Sequence, residues 1–263
     1  MTQIDRLPTL FLSHGSPMLA IQDSPAGRFL DALGGQLPRP RAIVVASAHF
    51  LTQRPMLGGA AQPHTVHDFG GFPGPLYQIE YSAPGAPEIA GTIAARLDQA
   101  GLPAKVRPGQ GLDHGVWVPL RRMYPQADLP VVPLSVNPFA DAAQHRALGL
   151  ALAHLRDEGV LVIGSGGFVH NLSDLDWQHP TAPLATWADE FSGWMHGRLA
   201  AHDWPALLDW QTRAPHARHA HPTPEHLMPL FVALGAAGED PRVEVLHRSH
   251  ELGTLALDAF AFR

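Results

Sequence analysis

The chain contains no cysteine. That absence excludes disulfides, thiolate zinc sites, iron–sulfur clusters and a cysteine nucleophile, so any bound metal must use imidazole, carboxylate or water. Long apolar runs are missing too. Nothing approaches the roughly 18 residues of a membrane span, and the start MTQIDRLPTLFLSHG lacks a basic segment followed by a long apolar one. A soluble, cytoplasmic protein with no membrane partner is expected. Nor is basic charge concentrated: 18 Lys plus Arg are scattered against 24 Asp plus Glu, for a formal net charge of −6, which argues against a nucleic-acid partner.

What is present is an alternation of strand-like and helix-like runs over 263 residues, the pattern of a layered α/β fold in one domain, 1–263. RAIVVAS at 41–47 is apolar nearly throughout, as expected of a strand covered on both faces. Residues 9–12, 131–136 and 160–164 read as further strands, and 104–107 as a short one. Helices are expected from Ser24–Pro25 to Gly34–Gly35, over 86–100, from near Val116 to before Pro125, from an Asp141 cap to about Asp157, and over 184–200. Residues 52–85 read as a long excursion, and 211–222 as a histidine-rich loop. Thr223 is expected to cap a helix with Pro224 first and Glu225 and His226 in its first turn, weakened by Pro229. The end, VEVLHRSHELGTLALDAFAFR, suits one or two closing strands, antiparallel at the sheet edge.

Against that frame the histidines stand out. His14 follows the first strand, His49 lies just past the second, and His170 sits in SGGFVHNL after the strand at 160–164. His114 belongs to a loop before a helix, and His226 to a helix start. Parallel sheets place chemistry at the carboxyl ends of their strands, so these residues read as a metal site assembled from distant segments. Imidazole suits Zn, Fe, Cu and Ni. With no thiolate available, the plausible sites are three histidines or two histidines and a carboxylate. Glu225 and His226 are adjacent, and spacing alone does not choose between them.

The motifs SHGSP, SAHF, HDFGGFP, DHGVW, SGGFVHNL and PTPEHLMPL, in order along the chain, resemble the class III extradiol ring-cleavage dioxygenase family, in its DOPA-dioxygenase-like branch. The resemblance implies a mixed central sheet flanked by helices, a non-haem Fe(II) site that Zn(II) can also occupy, and O₂-dependent cleavage of a DOPA-like or related catechol to a ring-opened semialdehyde. Carried over to this chain, it implies His14, His49 and His226 as metal ligands. His170 matches an active-site base that can also approach the metal, and His114 matches a second acid/base position. A zinc hydrolase and a non-catalytic metal-binding protein are the competing classes.

Other residues carry weaker readings. His64 and His67 flank the Gly/Pro-rich excursion and are candidates for substrate contact, though surface positions are commoner. His216, His219 and His221 read as a solvated cluster rather than a second site. Asp113 and Asn171 are expected to orient neighbouring histidines, while Phe72, Trp117 and Phe168 are read as core before substrate wall.

Overall fold

The apolar run at 41–47 becomes the spine of an eight-stranded sheet because its side chains are buried on both faces. A computed structural model of the chain describes residues 6–263; residues 1–5, which contributed to the reading of the chain start, lie outside the described residues. In chain order the elements are β1 (Thr9–Ser13), α1 (Pro25–Gln36), β2 (Ala42–Leu51), β3 (Met56–Gly58), α2 (Pro87–Gln99), β4 (Lys105–Arg107), α3 (His114–Met123), β5 (Val131–Val136), α4 (Ala142–Ala151) and β6 (Val160–Gly166). Then follow α5 (Thr186–Ala200), the short α6 (Trp204–Leu208), α7 (Trp210–Arg213) and α8 (Ala217–Ala220), α9 (Met228–Ala236), β7 (Val243–His247), β8 (His250–Glu251), β9 (Leu255–Ala256) and β10 (Ala259–Phe262).

The sheet order is β4-β3-β5-β2-β6-β1-β10-β7. β5, β2, β6 and β1 run parallel, while β10 and β7 close one side antiparallel, so the sheet is mixed. Successive residues of one strand enter opposite cores, as the pleat demands. Val44 and Ala46 join the cluster under α2, α4, α5 and α9, whereas Ile43 and Val45 join the cluster under α1 and α3. α9 is buried along its whole length and correspondingly lacks a polar face. It meets α4 backbone to backbone: a β-carbon on Gly235 would lie 2.1 Å from the Arg146 carbonyl oxygen, so only glycine allows the approach. Among the described residues no helix is long and apolar enough to cross a membrane.

Several boundaries differ from the sequence reading, and each for a local reason. β2 continues to Leu51, so His49 lies within its irregular end, where pairing with β5 slips between Ser47 and Leu51, rather than past it. α3 starts at His114 and not near Val116, because Asp113 O accepts from both Val116 N and Trp117 N. α1 runs through Gly34 and Gly35 to Gln36. The helix capped by Asp141 ends at Ala151 and is followed by a 3-10 turn over Ala153–Arg156. The excursion at 52–85 contributes β3 to the sheet, and 211–222 contains α8.

Thr223 caps no helix. Residues 223–227 form bends and turns, and α9 begins at Met228, with Pro229 in its first turn. A proline there sacrifices no intrahelical hydrogen bond, so it starts this helix instead of weakening it. Glu225 and His226 are thereby left on a turn facing the ends of the parallel strands.

Candidate metal centre

Three backbone segments are stitched together at the carboxyl ends of β1 and β6. His14 N donates to Gly166 O at 2.9 Å, and Gly167 N donates to His226 O at 2.9 Å. A β-carbon at Gly166 would sit 2.0 Å from that same His226 oxygen, so the glycine is what lets the 223–227 turn reach the strand end. His49 arrives from β2 next door, and His114 from the first turn of α3.

The result is a convergence of ring nitrogens. His49 Nε2 lies 3.1 Å from His14 Nε2 and 3.2 Å from His226 Nε2. On the far side each ring is anchored: His14 Nδ1 to Ser165 Oγ at 3.1 Å, His226 Nδ1 to Glu225 Oε1 at 2.9 Å, and His49 Nδ1 beside Asp68 Oδ2 at 3.3 Å. Ser165 spends its own hydroxyl proton on Gly115 O, so it accepts from His14. Carboxylates can only accept. Each Nδ1 therefore carries the hydrogen, and three Nε2 lone pairs face one another. Such a cluster is repulsive by itself and is relieved by a cation. Metal–nitrogen bonds of about 2.0–2.1 Å place ligand nitrogens roughly 3.0–3.4 Å apart, which fits the observed spacing. The donor set therefore suits a metal ion, and the anchored Nδ1 partners are those that metal-bound imidazoles ordinarily have.

Electrostatics agree. Burial, reinforced by neighbouring imidazoles, holds His14 and His226 well below the usual histidine range. Burial and His114 also lower His49, against the pull of Asp68. The rings are neutral at pH 7, as ligation requires.

His170 and His114 flank this trio. The His170 ring stacks on His226 with centroids 3.4 Å apart and planes within 6°, placing it beside Glu225 and His226 but outside the His14–His49–His226 group. Burial takes it down to about 4, although Glu225 pulls the other way. His114 is buried with its ring 3.9 Å from that of His49. Its Nδ1 and its backbone N–H both donate to Asp68 Oδ1, at 3.0 and 2.9 Å.

Asp68 is thus the residue that sequence reasoning missed. Burial disfavours its charge, but the bonds from His114 and the proximity of His114 and His49 outweigh that and keep it below the usual carboxylate range. Its only signal was its place in HDFGGFP. The orienting role expected of Asp113 and Asn171 falls instead to Asp68, Ser165 and Glu225. Asp113 Oδ1 accepts from Ser47 Oγ at 2.6 Å, and burial pushes its carboxyl up to about 6. Asn171 bonds to Ser173 N and His219 O.

The five imidazoles open onto a cavity of about 670 Å³. Phe72 lines it, whereas Trp117 and Phe168 are core. His64 and His67 do not reach it; His67 bonds to Ile79 O at 3.0 Å. His216, His219 and His221 turn to Glu190, Asp174 and Phe168 O respectively and do not converge.

His221 supplies a pH dependence of its own. It is buried, and its Nδ1 has no partner among the described residues. Burial lowers it to about 3 against the bond to Phe168 O. In the unfolded chain its value is about 6.5. Above that neither state is protonated; between the two values only the unfolded state binds a proton, so stability falls with falling pH by about 1.4 kcal/mol per unit. Urea titrations at pH 7 and pH 5 are expected to show the wild type losing about 2 kcal/mol more than His221→Gln. Equal losses in both proteins would mean that His221 accepts a proton in the fold.

Fold and site together define an α/β protein with three converging imidazoles, able to hold a metal ion, in a cavity at the strand ends. The chain belongs to the family of the catalytic LigB subunit of aromatic ring-opening dioxygenase, whose description matches residues 8–258. It is 42% identical over 262 residues to the 4,5-DOPA dioxygenase extradiol of Beta vulgaris, covering 97% of this chain and 96% of that one. The protein of the same name from Escherichia coli K12 is 39% identical, with 96% and 93% covered. A crystal structure of an uncharacterized Escherichia coli K12 protein superposes with a TM-score of 0.82 at 33% identity, covering 98% of this chain and all of that one. The resemblance read from the six motifs is borne out over nearly the whole length.

Proposed function

We propose that this chain, acting as one catalytic domain, is an Fe(II)-dependent extradiol dioxygenase that opens a catechol ring with O₂ to a semialdehyde. The observation that carries the reading is the convergence of three Nε2 atoms in a chain of this family. His14, His49 and His226 hold the metal. A ferrous ion there supplies electron-transfer chemistry toward O₂, which zinc, having no redox chemistry, does not.

The remaining roles belong to the chain itself. His170, neutral and facing the cavity, accepts a catechol proton as the diol binds. His114, held in one tautomer by its Nδ1–H bond to Asp68, keeps a bare Nε2 that first takes up a proton released from the diol and then returns it to the developing oxygen of the product. The apolar walls keep water away from the reacting ring.

A zinc hydrolase remains the second reading, because three imidazoles also suit a zinc-bound water. Anaerobic reconstitution with Fe(II), then O₂ uptake and visible absorbance with catechols against a Zn(II)-loaded control, separates the two. Iron-dependent uptake with a yellow product is expected. Silence at full iron occupancy, with ester or amide turnover in the zinc form, would replace this reading by the second.

A further inference from the structure

His14, His49 and His226 are each held through Nδ1 by a side chain of another residue, whereas the His170 ring is placed by its stack on His226 and by its own backbone. What fixes this base is therefore whatever fixes the loop that follows β6. The entry of the loop is pinned by Gly167 N to His226 O and by Phe168 N to Ser13 Oγ. Around His170 itself the partners come from α8 and the residue after it. His170 N donates to Ala220 O at 3.0 Å, Asn171 Nδ2 donates to His219 O at 2.9 Å, and His221 Nε2 donates to Phe168 O at 3.1 Å. Only the last of these uses a side chain of the 217–221 segment, so only it depends on which residue stands there.

The segment is in turn fastened to α5 by the histidines that read as a solvated cluster. His216 Nε2 donates to Glu190 Oε2 at 2.6 Å, His219 stacks on Trp187 with centroids 4.0 Å apart, and His221 lies buried against Phe191 of α5 and Trp210 of α7. For packing alone, histidine is a costly choice at 221. With Nε2–H given to Phe168 O, its Nδ1 is a bare acceptor, buried without a partner among the described residues. An apolar side chain between the two aromatic rings would avoid that cost. It could not hold the Phe168 carbonyl, two residues before His170.

We propose that His221 is a positioning residue for ring cleavage: it fixes the loop from Phe168 to Asn171 and thereby sets the His170 imidazole against the diol. The proposal rests on the extradiol reading above and on His170 acting as its base. A group misplaced by about 1 Å can lose about 100-fold in rate, so a bond two residues away reaches the chemistry without touching the substrate.

The test compares His221→Met with His221→Gln, which are similar in length and volume but of which only the Gln amide donates. In the Fe(II)-loaded protein, with the catechol that turns over best, His221→Met is expected to lower kcat about tenfold or more with KM within about threefold, and His221→Gln to keep kcat within about threefold of wild type. Added to His170→Ala, His221→Met is expected to cost nothing further in single-turnover rate, because its effect passes through the ring already removed. Amide hydrogen exchange of the Zn(II)-loaded protein, followed by NMR, gives a reading apart from turnover. The His170 amide, protected in wild type and in His221→Gln, is expected to exchange at least about tenfold faster in His221→Met, a change not shared by the amides of β2 and β6. An equal loss of rate in both backgrounds, Gln performing no better than Met, or a wild-type His170 amide that exchanges freely overturns the proposal, and the last of these needs no variant to fold. Absence of ring cleavage with every catechol defeats the extradiol reading instead, while the exchange comparison still shows whether His221 holds the loop.

Discussion

His226→Ala is expected to lose the metal and ring cleavage together, each by more than about 100-fold, whereas Glu225→Gln weakens metal binding by only about 10–100-fold. The two residues are neighbours, and their geometry assigns them different tasks. His226 aims Nε2 at the His49 nitrogen, 3.2 Å away, while Glu225 sits behind it with an oxygen on Nδ1 at 2.9 Å. Removing the ring deletes one of three donors. Removing the carboxylate charge leaves the donor in place but less firmly oriented and less basic. His170→Ala, which removes a ring stacked outside the trio, is expected to keep the metal and lose turnover. Metal retained after dialysis against a weak chelator, measured beside O₂ uptake and circular dichroism, reads all three variants. The reverse order, with Glu225→Gln losing the metal and His226→Ala retaining it, would make glutamate the ligand.

Asp68→Asn is expected to damage binding and chemistry at once, because one carboxylate serves two imidazoles. Oδ1 accepts from His114 Nδ1 and Oδ2 lies 3.3 Å from His49 Nδ1. A carboxamide has only one accepting oxygen, and its NH₂ group donates toward a ring N–H that also donates. One imidazole must turn or change tautomer. Metal affinity is expected to drop about 10–100-fold through His49, and turnover of the metal-saturated variant to drop about a further 100-fold or more through His114. Competition with a chelating dye gives the first quantity and single-turnover kinetics at saturating metal the second. Turnover within severalfold of wild type at full occupancy would remove His114 from the proton path.

Much of the architecture follows from local pattern. The run at 41–47 had to be a strand buried on both faces, and β5 at Val131–Val136 coincides with its apolar run. Asp141 closes a capping box with Gln144, as its position before a helical pattern requires. Boundaries failed where tertiary contacts took over. Asp113 gives its carboxylate to Ser47, and the amide of His114 goes to Asp68, so α3 begins earlier than its side-chain pattern indicates. Pro229 looked like a break only while the helix was taken to start at Pro224.

The sequence by itself determined the layered α/β class, the exclusion of thiolate from any metal site, and the set of histidines from which a site could be built. Those are consequences of composition, of apolar periodicity and of donor chemistry, all of which are local. Only the tertiary structure decided that His226 rather than Glu225 turns its donor atom toward His14 and His49, that His170 stacks beside the trio, and that Asp68 anchors both His49 and His114. His49 and His226 are 177 positions apart in the chain. Which side chain of an adjacent pair points at a common centre depends on where the folded turn is pinned, and here it is pinned by the close backbone approach at Gly166.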